Sequence, residues 1–539
     1  MNQLNRRRLL TGTAVAGGFA AGIGVSGLGS LALADPPDKC FEPPKAVTVG
    51  KDDPRYPHLT SRGMNARFTG EPDNVHIVTT TEQVVKAVTE AVAAGKRVSV
   101  RSGGHCFEDF VDSADIETVI DLSTMTNLYF DDEKRAFAIE PGLRLSEVYR
   151  RLYLGWGVTI PAGSCVEVGV GGHILGGGYG ALARRDGLVV DHLYAVEVVV
   201  VGKSGKAKAV VATREKDDPN RDLWWAHTGG GGGNFGIVTR YWLRSPNAES
   251  KDPSKLLPKP PKELLGFGLV WDWSTLDEKS YARLVRNHGE WHTANSEPGT
   301  RFAGLHSVLM LNEPSAAPIM LVGTIHGDDA ENLLDEYAAA ITEGVSAPPQ
   351  RDESREPWLD ATLAANLDET GGRSRVKCKA GYLRRGWSDE QIALTYDVLN
   401  EGQTSKDSGL AIWLVAYGGK VNDVKPNATA TAQRDSVLKA IYMTGWSDPD
   451  QDKANLKRVR RLYSEIYATG GGVPAPDDDN DGSFINYADA DLADEDLNTS
   501  GVAWHTLYYK DNYPRLRKAK AKWDPRDVFT HKLGIRPAD

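Results

Sequence analysis

The 539-residue chain is 40% hydrophobic and 25% charged, near the average for soluble globular proteins, and carries a formal net charge of −10. That balance excludes a disordered chain and argues against nucleic acid as a partner, which would call for a basic surface. The length suffices for about two domains, or one with a substantial insertion, and no internal repeat or low-complexity tract is visible.

The first stretch has the form of an export signal. Asn5-Arg6-Arg7-Arg8-Leu9-Leu10 precedes a small-residue apolar stretch over 11–33, and Ala32-Leu33-Ala34 forms a cleavage pattern ahead of Asp35-Pro36-Pro37. Its richness in Gly and Ala favours a removable peptide over a membrane anchor, so residues 1–34 read as a leader and no membrane association is expected after its removal. The arginines resemble the twin-arginine type, with Asn5 in place of the usual Ser or Thr and Thr11 in place of the usual Lys. That route carries already folded proteins, which suits a cofactor bound and attached before export to an extracytoplasmic location.

Residues 75–79 and 98–101 read as strands around an amphipathic helix, in which Val84, Val85, Val88 and Val92 recur at helical spacing. This β-α-β unit delivers Arg101-Ser102-Gly103-Gly104-His105. Strands are expected at 118–121 and 136–140, then a helix over 145–153 that leads to the glycine-rich run from Pro161 to Gly180. Residues 195–201 and 206–212 form a Val-rich hairpin, and a third glycine run, Thr228 to Gly236, precedes Ile237-Val238. Pro246 to Pro261 is the clearest shift of composition and bounds a first domain at 35–246. Beyond it, strands at 265–273, 301–311, 319–326 and 410–416 alternate with helices at 275–294, 329–343, 389–399 and 452–468. The expectation is an α+β protein whose second domain, 262–482, carries a mixed or antiparallel sheet backed by helices.

Consecutive glycines expose backbone N–H groups and admit positive φ, so three such runs suit a large anionic ligand pressed against main chain. None of them matches the Walker pattern or a clean G-x-G-x-x-G unit. Cys40, Cys106, Cys165 and Cys378 are far apart, with no Cys/His cluster at zinc spacing, so no metal is expected. Cys40 and Cys378 could pair outside the cell, or both could be buried free thiols. Asp477-Asp478-Asp479-Asn480-Asp481-Gly482 imitates the start of a calcium loop, but Ala488 stands where a bidentate Glu is needed, so it reads as a solvated loop.

The Arg101–His105 loop, together with Cys165-Val166-Glu167-Val168-Gly169-Val170-Gly171-Gly172-His173, resembles the berberine-bridge-enzyme-like FAD-linked oxidases of the vanillyl-alcohol-oxidase, or PCMH-type FAD-binding, superfamily. The likeness is densest over 71–246 and 483–537, and within the group the wording is most similar to the hexose oxidases that act on glycopeptide antibiotics. Val166-Glu167 stand where Pro-Thr is common, and Cys106 where Ser is usual. The resemblance implies a PCMH-type first domain to which the segment 483–539 returns, and FAD attached twice, through His105 to the 8α-methyl carbon and through Cys165 to C6. It places Arg101, Ser102, Gly103, Gly104, Val168, Gly169, Gly171, Gly172, His173, Gly176, Gly177, Tyr179, Gly236, Ile237, Val238 and Asn512 around the cofactor.

The implied reaction is hydride transfer from a hydroxyl-bearing carbon of a sugar or glycosylated natural product to flavin N5, with O₂ reduced to H₂O₂. A base must take the hydroxyl proton. Tyr487, in Phe484-Ile485-Asn486-Tyr487, falls where the family places it, and since a tyrosine pKa is about 10, nearby donors or positive charge must favour the phenolate. Tyr417 resembles a second, assisting tyrosine. It and Tyr179 could also be core aromatics with satisfied hydroxyls, Tyr179 the more readily. The resemblance gives Val168 a further role, leaving room for O₂ beside the reduced flavin where a Leu would fill it. Oxidative cyclisation or desaturation of an alkaloid or polyketide is the alternative chemistry, and a carbohydrate-binding protein on a degenerate flavin fold the alternative class, against which both intact tether residues argue. A monomer or homodimer is expected.

Overall fold

The computed structural model of the chain describes residues 44–364, 373–402 and 408–538. The leader and Cys40 lie outside the described residues. A four-stranded sheet comes first, with β1 (Val47–Gly50), β2 (Asn74–Ile77), β3 (Val98–Arg101) and β4 (Thr118–Asp121) in the order β1-β2-β4-β3. Strands β2 and β3 both pair parallel with β4, so the helix Thr81–Ala93 between them is a crossover, as parallel strands require. The helix starts at Thr80, whose hydroxyl accepts from the Gln83 N–H, and buries Val84, Ala87, Val88 and Ala91. Its function is positional: the chain leaves β3 at Arg101 directly into the 102–105 loop.

A five-stranded antiparallel sheet follows, with β5 (Leu128–Asp131), β6 (Ala136–Ile139), β7 (Leu193–Val201), β8 (Ala207–Thr213) and β9 (Ile237–Leu243) in the order β5-β6-β9-β7-β8. The β7–β8 hairpin matches the sequence reading. The helix Leu145–Trp156 ends at Gly157, whose φ of +65° stops it in the left-handed conformation that glycine adopts without strain. Across the proline-rich stretch the chain passes to a third sheet, held by hydrogen bonds of 2.8 Å from Thr159 N to Pro258 O and from Ser245 N to Leu256 O.

That third sheet has seven antiparallel strands, β10 (Glu263–Trp271), β11 (His306–Asn312), β12 (Ile319–Ile325), β13 (Gln350–Pro357), β14 (Arg375–Leu383), β15 (Gly409–Ala416) and β16 (Leu438–Trp446), in the order β13-β10-β12-β11-β15-β16-β14. Side chains alternate along each strand, so the register puts Val308, Trp413, Ile441 and Cys378 on one face. This face roofs a cleft against the first two sheets. The helices Glu278–Ala294, Ala330–Thr342 and Asp452–Ile466 cover the other, where Ser307 meets His292 and Tyr337, and Tyr463 donates to the Ala380 carbonyl.

The last segment packs back on the first part of the chain. Buried Lys520, in the helix Tyr513–Trp523, bonds Asn234 O, Asp524 and Phe529 O, and Asn234 accepts in turn from Ile535 N. Among the described residues no helix is long and apolar enough to cross a membrane, and no group of His, Cys, Asp and Glu is placed to hold a metal ion.

Candidate active site

Two loops meet through their backbones. A Cβ on Gly103 would lie 2.5 Å from Gly169 N, so both positions have to be glycine for the main chains to touch. Ser102 donates to Pro141 O at 2.5 Å, and Gly104, at φ +81°, accepts from Met64 N at 2.8 Å. The contact brings His105 Nε2 to 3.6 Å from Cys165 Sγ. Both side chains line a cleft of about 630 Å³ that Val168, Gly171, Gly172, His173, Gly231 to Gly233, Gly236 and Val238 also line. Arg101 shares this wall, but its guanidinium is committed to Asp112 at 2.7 Å and to the Leu59 carbonyl. His173 Nε2 accepts from Gly163 N at 3.2 Å, and burial, with Lys439 and His105 nearby, pushes its pKa down to about 4.

On the roof side, Tyr487 and Tyr179 put their hydroxyls 2.8 Å apart. Both line the cleft, and Phe107 packs edge-on to Tyr487 with ring centroids 5.9 Å apart. Burial raises the pKa of each phenol, Tyr179 furthest, so neither gives up its proton unaided. Tyr417 sits behind them, 6.1 Å from the Tyr179 ring, with its hydroxyl directed to the Gln433 carbonyl at 3.4 Å. The sequence ranking of these two tyrosines is therefore reversed: Tyr179 is in contact with Tyr487, and Tyr417 is the core aromatic with an internal partner.

The charge that could favour a phenolate is Lys439 on β16, which sequence reading missed. Its Nζ lies 3.2 Å from the Tyr179 ring centroid, 3.6 Å from Phe484, and 4.7 Å from both Tyr382 and Tyr417. It has no hydrogen-bond partner and is buried. Burial pushes its pKa well down, while four ring faces turned toward it favour the cation. In the sequence the only signal is a lysine in an otherwise apolar run, Leu438-Lys439-Ala440-Ile441-Tyr442.

Residues 72–207 match the FAD binding domain family, and residues 483–536 the family described as berberine and berberine like. Aclacinomycin-N/aclacinomycin-A oxidase of Streptomyces galilaeus is 54% identical over 548 residues, covering 100% of this chain and 99% of that protein. The chain belongs to the berberine-bridge-enzyme-like FAD-linked oxidases. A glycopeptide hexose oxidase solved with teicoplanin superposes with a TM-score of 0.89 at 52% identity, covering 92% of this chain and 100% of that one. The fold extends to glucooligosaccharide oxidase from Acremonium strictum, whose FAD is 6-S-cysteinyl and 8α-N1-histidyl, at TM-score 0.76 and 23% identity, over 92% and 97% of the chains.

As a member of this FAD-linked family, the protein has a cleft that fits the group. The glycines of the two touching loops leave that stretch of wall without side chains, and an imidazole and a thiol converge on one point of it. Four residues expected around the cofactor stand elsewhere. Ile237 packs into the core with Val199 and Ile120, because β9 alternates and Gly236 and Val238 take the cleft side. Gly176 and Gly177 give room to Asn486 and Thr431, whose side chains a Cβ would strike. Asn512 donates to the carbonyls of Pro426, Thr429 and Ala430 and so ties down the segment that carries Thr431. Cys378 is a buried free thiol on the roof, its pKa raised by burial, and Cys106 lines the cleft with its thiol pushed up to about 12. Asp477 to Asp479 are exposed as expected, but Asp481 is fully buried between Arg384 and Lys510.

Proposed function

We propose that this protein oxidises a hydroxyl-bearing carbon of a sugar ring in a glycosylated natural product, with FAD bonded to both His105 and Cys165. One observation carries the reading. The cleft that holds the His105–Cys165 pair at 3.6 Å also presents the Tyr487–Tyr179 hydroxyl pair at 2.8 Å. In the reactive state the Tyr487–Tyr179 pair holds one proton between its two phenol oxygens, and its negative charge is offset by Lys439 when that amine is protonated; the substrate hydroxyl gives its proton to Tyr487 and the pair becomes neutral. FAD, when bound, supplies acceptance of the hydride and delivery of both electrons to O₂, so that the alcohol becomes a carbonyl and O₂ becomes H₂O₂.

The relatives named above support a glycoside as substrate, and two tethers would let the cofactor face an open cleft wide enough for one. The Arg6–Arg8 leader supports export by the twin-arginine route after cofactor attachment. The test is turnover against sugars, glycopeptides, anthracycline glycosides and unglycosylated polyketides, reading peroxide and product mass. A glycoside product lighter by two hydrogens supports the proposal. Ring closure or desaturation of an aglycone, with every sugar hydroxyl intact, would replace it.

A further inference from the structure

Beside the flavin cleft lies a second cavity of about 370 Å³, within the range of ligand pockets. The two share the wall residues Gly163, Ser164, His306 and Val308. Its floor is the outer part of the seven-stranded sheet, where β10 carries glycine at two successive positions of the same face, Gly266 and Gly268. Glycine weakens a strand, and such positions mark close approach of something else. A Cβ at Gly268 would meet nothing within 4 Å, and its φ is not in the left-handed region, so neither packing nor backbone conformation requires glycine there.

The flanks are chemically distinct. On one side, Asp352 and Ser354 of β13 stand opposite Gly268 and Gly266. On the other, Thr324 of β12 pairs with His306 of β11. His306 is only 8% exposed, and its Nδ1 has no hydrogen-bond partner. Burial and the Arg184 charge push its pKa down to about 4, so the ring is neutral and offers one donor and one acceptor. Across the cavity, Tyr149 and Trp358 meet edge to face with ring centroids 6.0 Å apart, giving an apolar surface.

We propose that this cavity binds a second sugar ring, the neighbour of the ring being oxidised, with its apolar face toward Tyr149 and Trp358 and its hydroxyls toward Asp352 and His306. The proposal rests on the glycoside-oxidase reading and extends it to a two-ring minimum substrate.

The experiment measures equilibrium binding to the holoprotein by tryptophan fluorescence, with turnover measured alongside. The probes are methyl glycosides of single hexoses and of the matching disaccharides in the gluco, galacto and 6-deoxy series. In at least one series the disaccharide should bind about tenfold tighter or better. Gly268→Val, which puts a strand-compatible side chain into the empty space, should abolish that advantage while single-ring binding stays within about twofold. Asp352→Ala, on the exposed edge strand, should reduce the advantage in a variant with no packing to disturb. An advantage that survives Gly268→Val, or no advantage in any series, overturns the proposal. Tighter disaccharide binding without peroxide would sink the oxidase reading and leave the second-ring site standing, whereas peroxide formation with equal KM for one and two rings would do the reverse.

Discussion

Replacing Lys439 by Met separates its charge from its bulk. The thioether chain fills nearly the same volume among Tyr179, Tyr382, Tyr417 and Phe484, so the ring cluster is retained and only the amine is lost. With Nζ 3.2 Å from the Tyr179 ring centroid, the phenol oxygen is on the order of 5 Å from the amine, and at an effective dielectric of about 20 a unit charge there is worth roughly 3 kcal/mol, or about 10² in rate. Below the lowered native pKa of Lys439, where the amine is charged, turnover should fall by about that factor, and above it, where the native amine is neutral, variant and parent should converge. Stability should move the other way. A buried amine without a partner costs about 1–3 kcal/mol, and with an unfolding entropy of about 1 kcal/mol/K for a chain of this length the variant should melt about 1–3 °C higher. The sign follows from proton counts: the unfolded chain holds a proton that the native site sheds, so the Lys439 contribution to stability grows as pH rises from the lowered native pKa toward the ordinary lysine value of about 10.4. Lys439→Met should flatten that slope. The pH–rate profile and pH-dependent melting decide the matter, and an unchanged profile with normal turnover would refute the electrostatic role.

Tyr487→Phe should lower turnover by about 10² to 10⁴ with unchanged flavin content, and near-normal turnover would pass the base role to Tyr179, its hydrogen-bond partner. Val168→Leu should slow reoxidation by O₂ and spare anaerobic reduction, as stopped-flow of the two half-reactions would show; an unchanged oxygen rate would leave Val168 as loop packing. Gly103→Ala should yield protein largely without flavin, because its methyl would sit 2.5 Å from Gly169 N, and a variant yellow to the same extent as the parent would contradict the loop contact. Wild-type protein precipitated with acid should stay yellow, and His105→Ala or Cys165→Ala should each keep one link by peptide mass; complete release of flavin from the wild type would end the double attachment.

The glycine loops, the crossover helix and most of the second-domain strands were legible because each is a local pattern: valines at helical spacing, β-branched runs, consecutive glycines. Three strands of the roof were not. β13 is Gln-Arg-Asp-Glu-Ser-Arg-Glu-Pro, exposed at every position, an edge strand held by its ladder to β10 and lacking any apolar face to betray it. β14 carries Lys377 and Lys379, which look solvent-facing in sequence but are buried in ion pairs with Glu108, Asp489 and Asp491 from distant segments. β16 hides Lys439 as well, against aromatic rings and without an ion pair. The resemblance places Asn512 at the cofactor, yet its amide nitrogen donates to three backbone carbonyls. In each case the deciding partner lies far along the chain, where periodicity carries no information.

The central claim is that hydride leaves a hydroxyl-bearing carbon while Tyr487 receives the hydroxyl proton. Anaerobic rapid mixing of holoprotein with a turned-over glycoside, with hydrogen or deuterium at the carbon that becomes the carbonyl, tests it most directly. The account predicts that deuterium slows bleaching of the flavin several-fold in the wild type, and that Tyr487→Phe lowers the bleaching rate while retaining the isotope effect. Bleaching that is insensitive to deuterium at that carbon, with a carbonyl found at no sugar position, would contradict it.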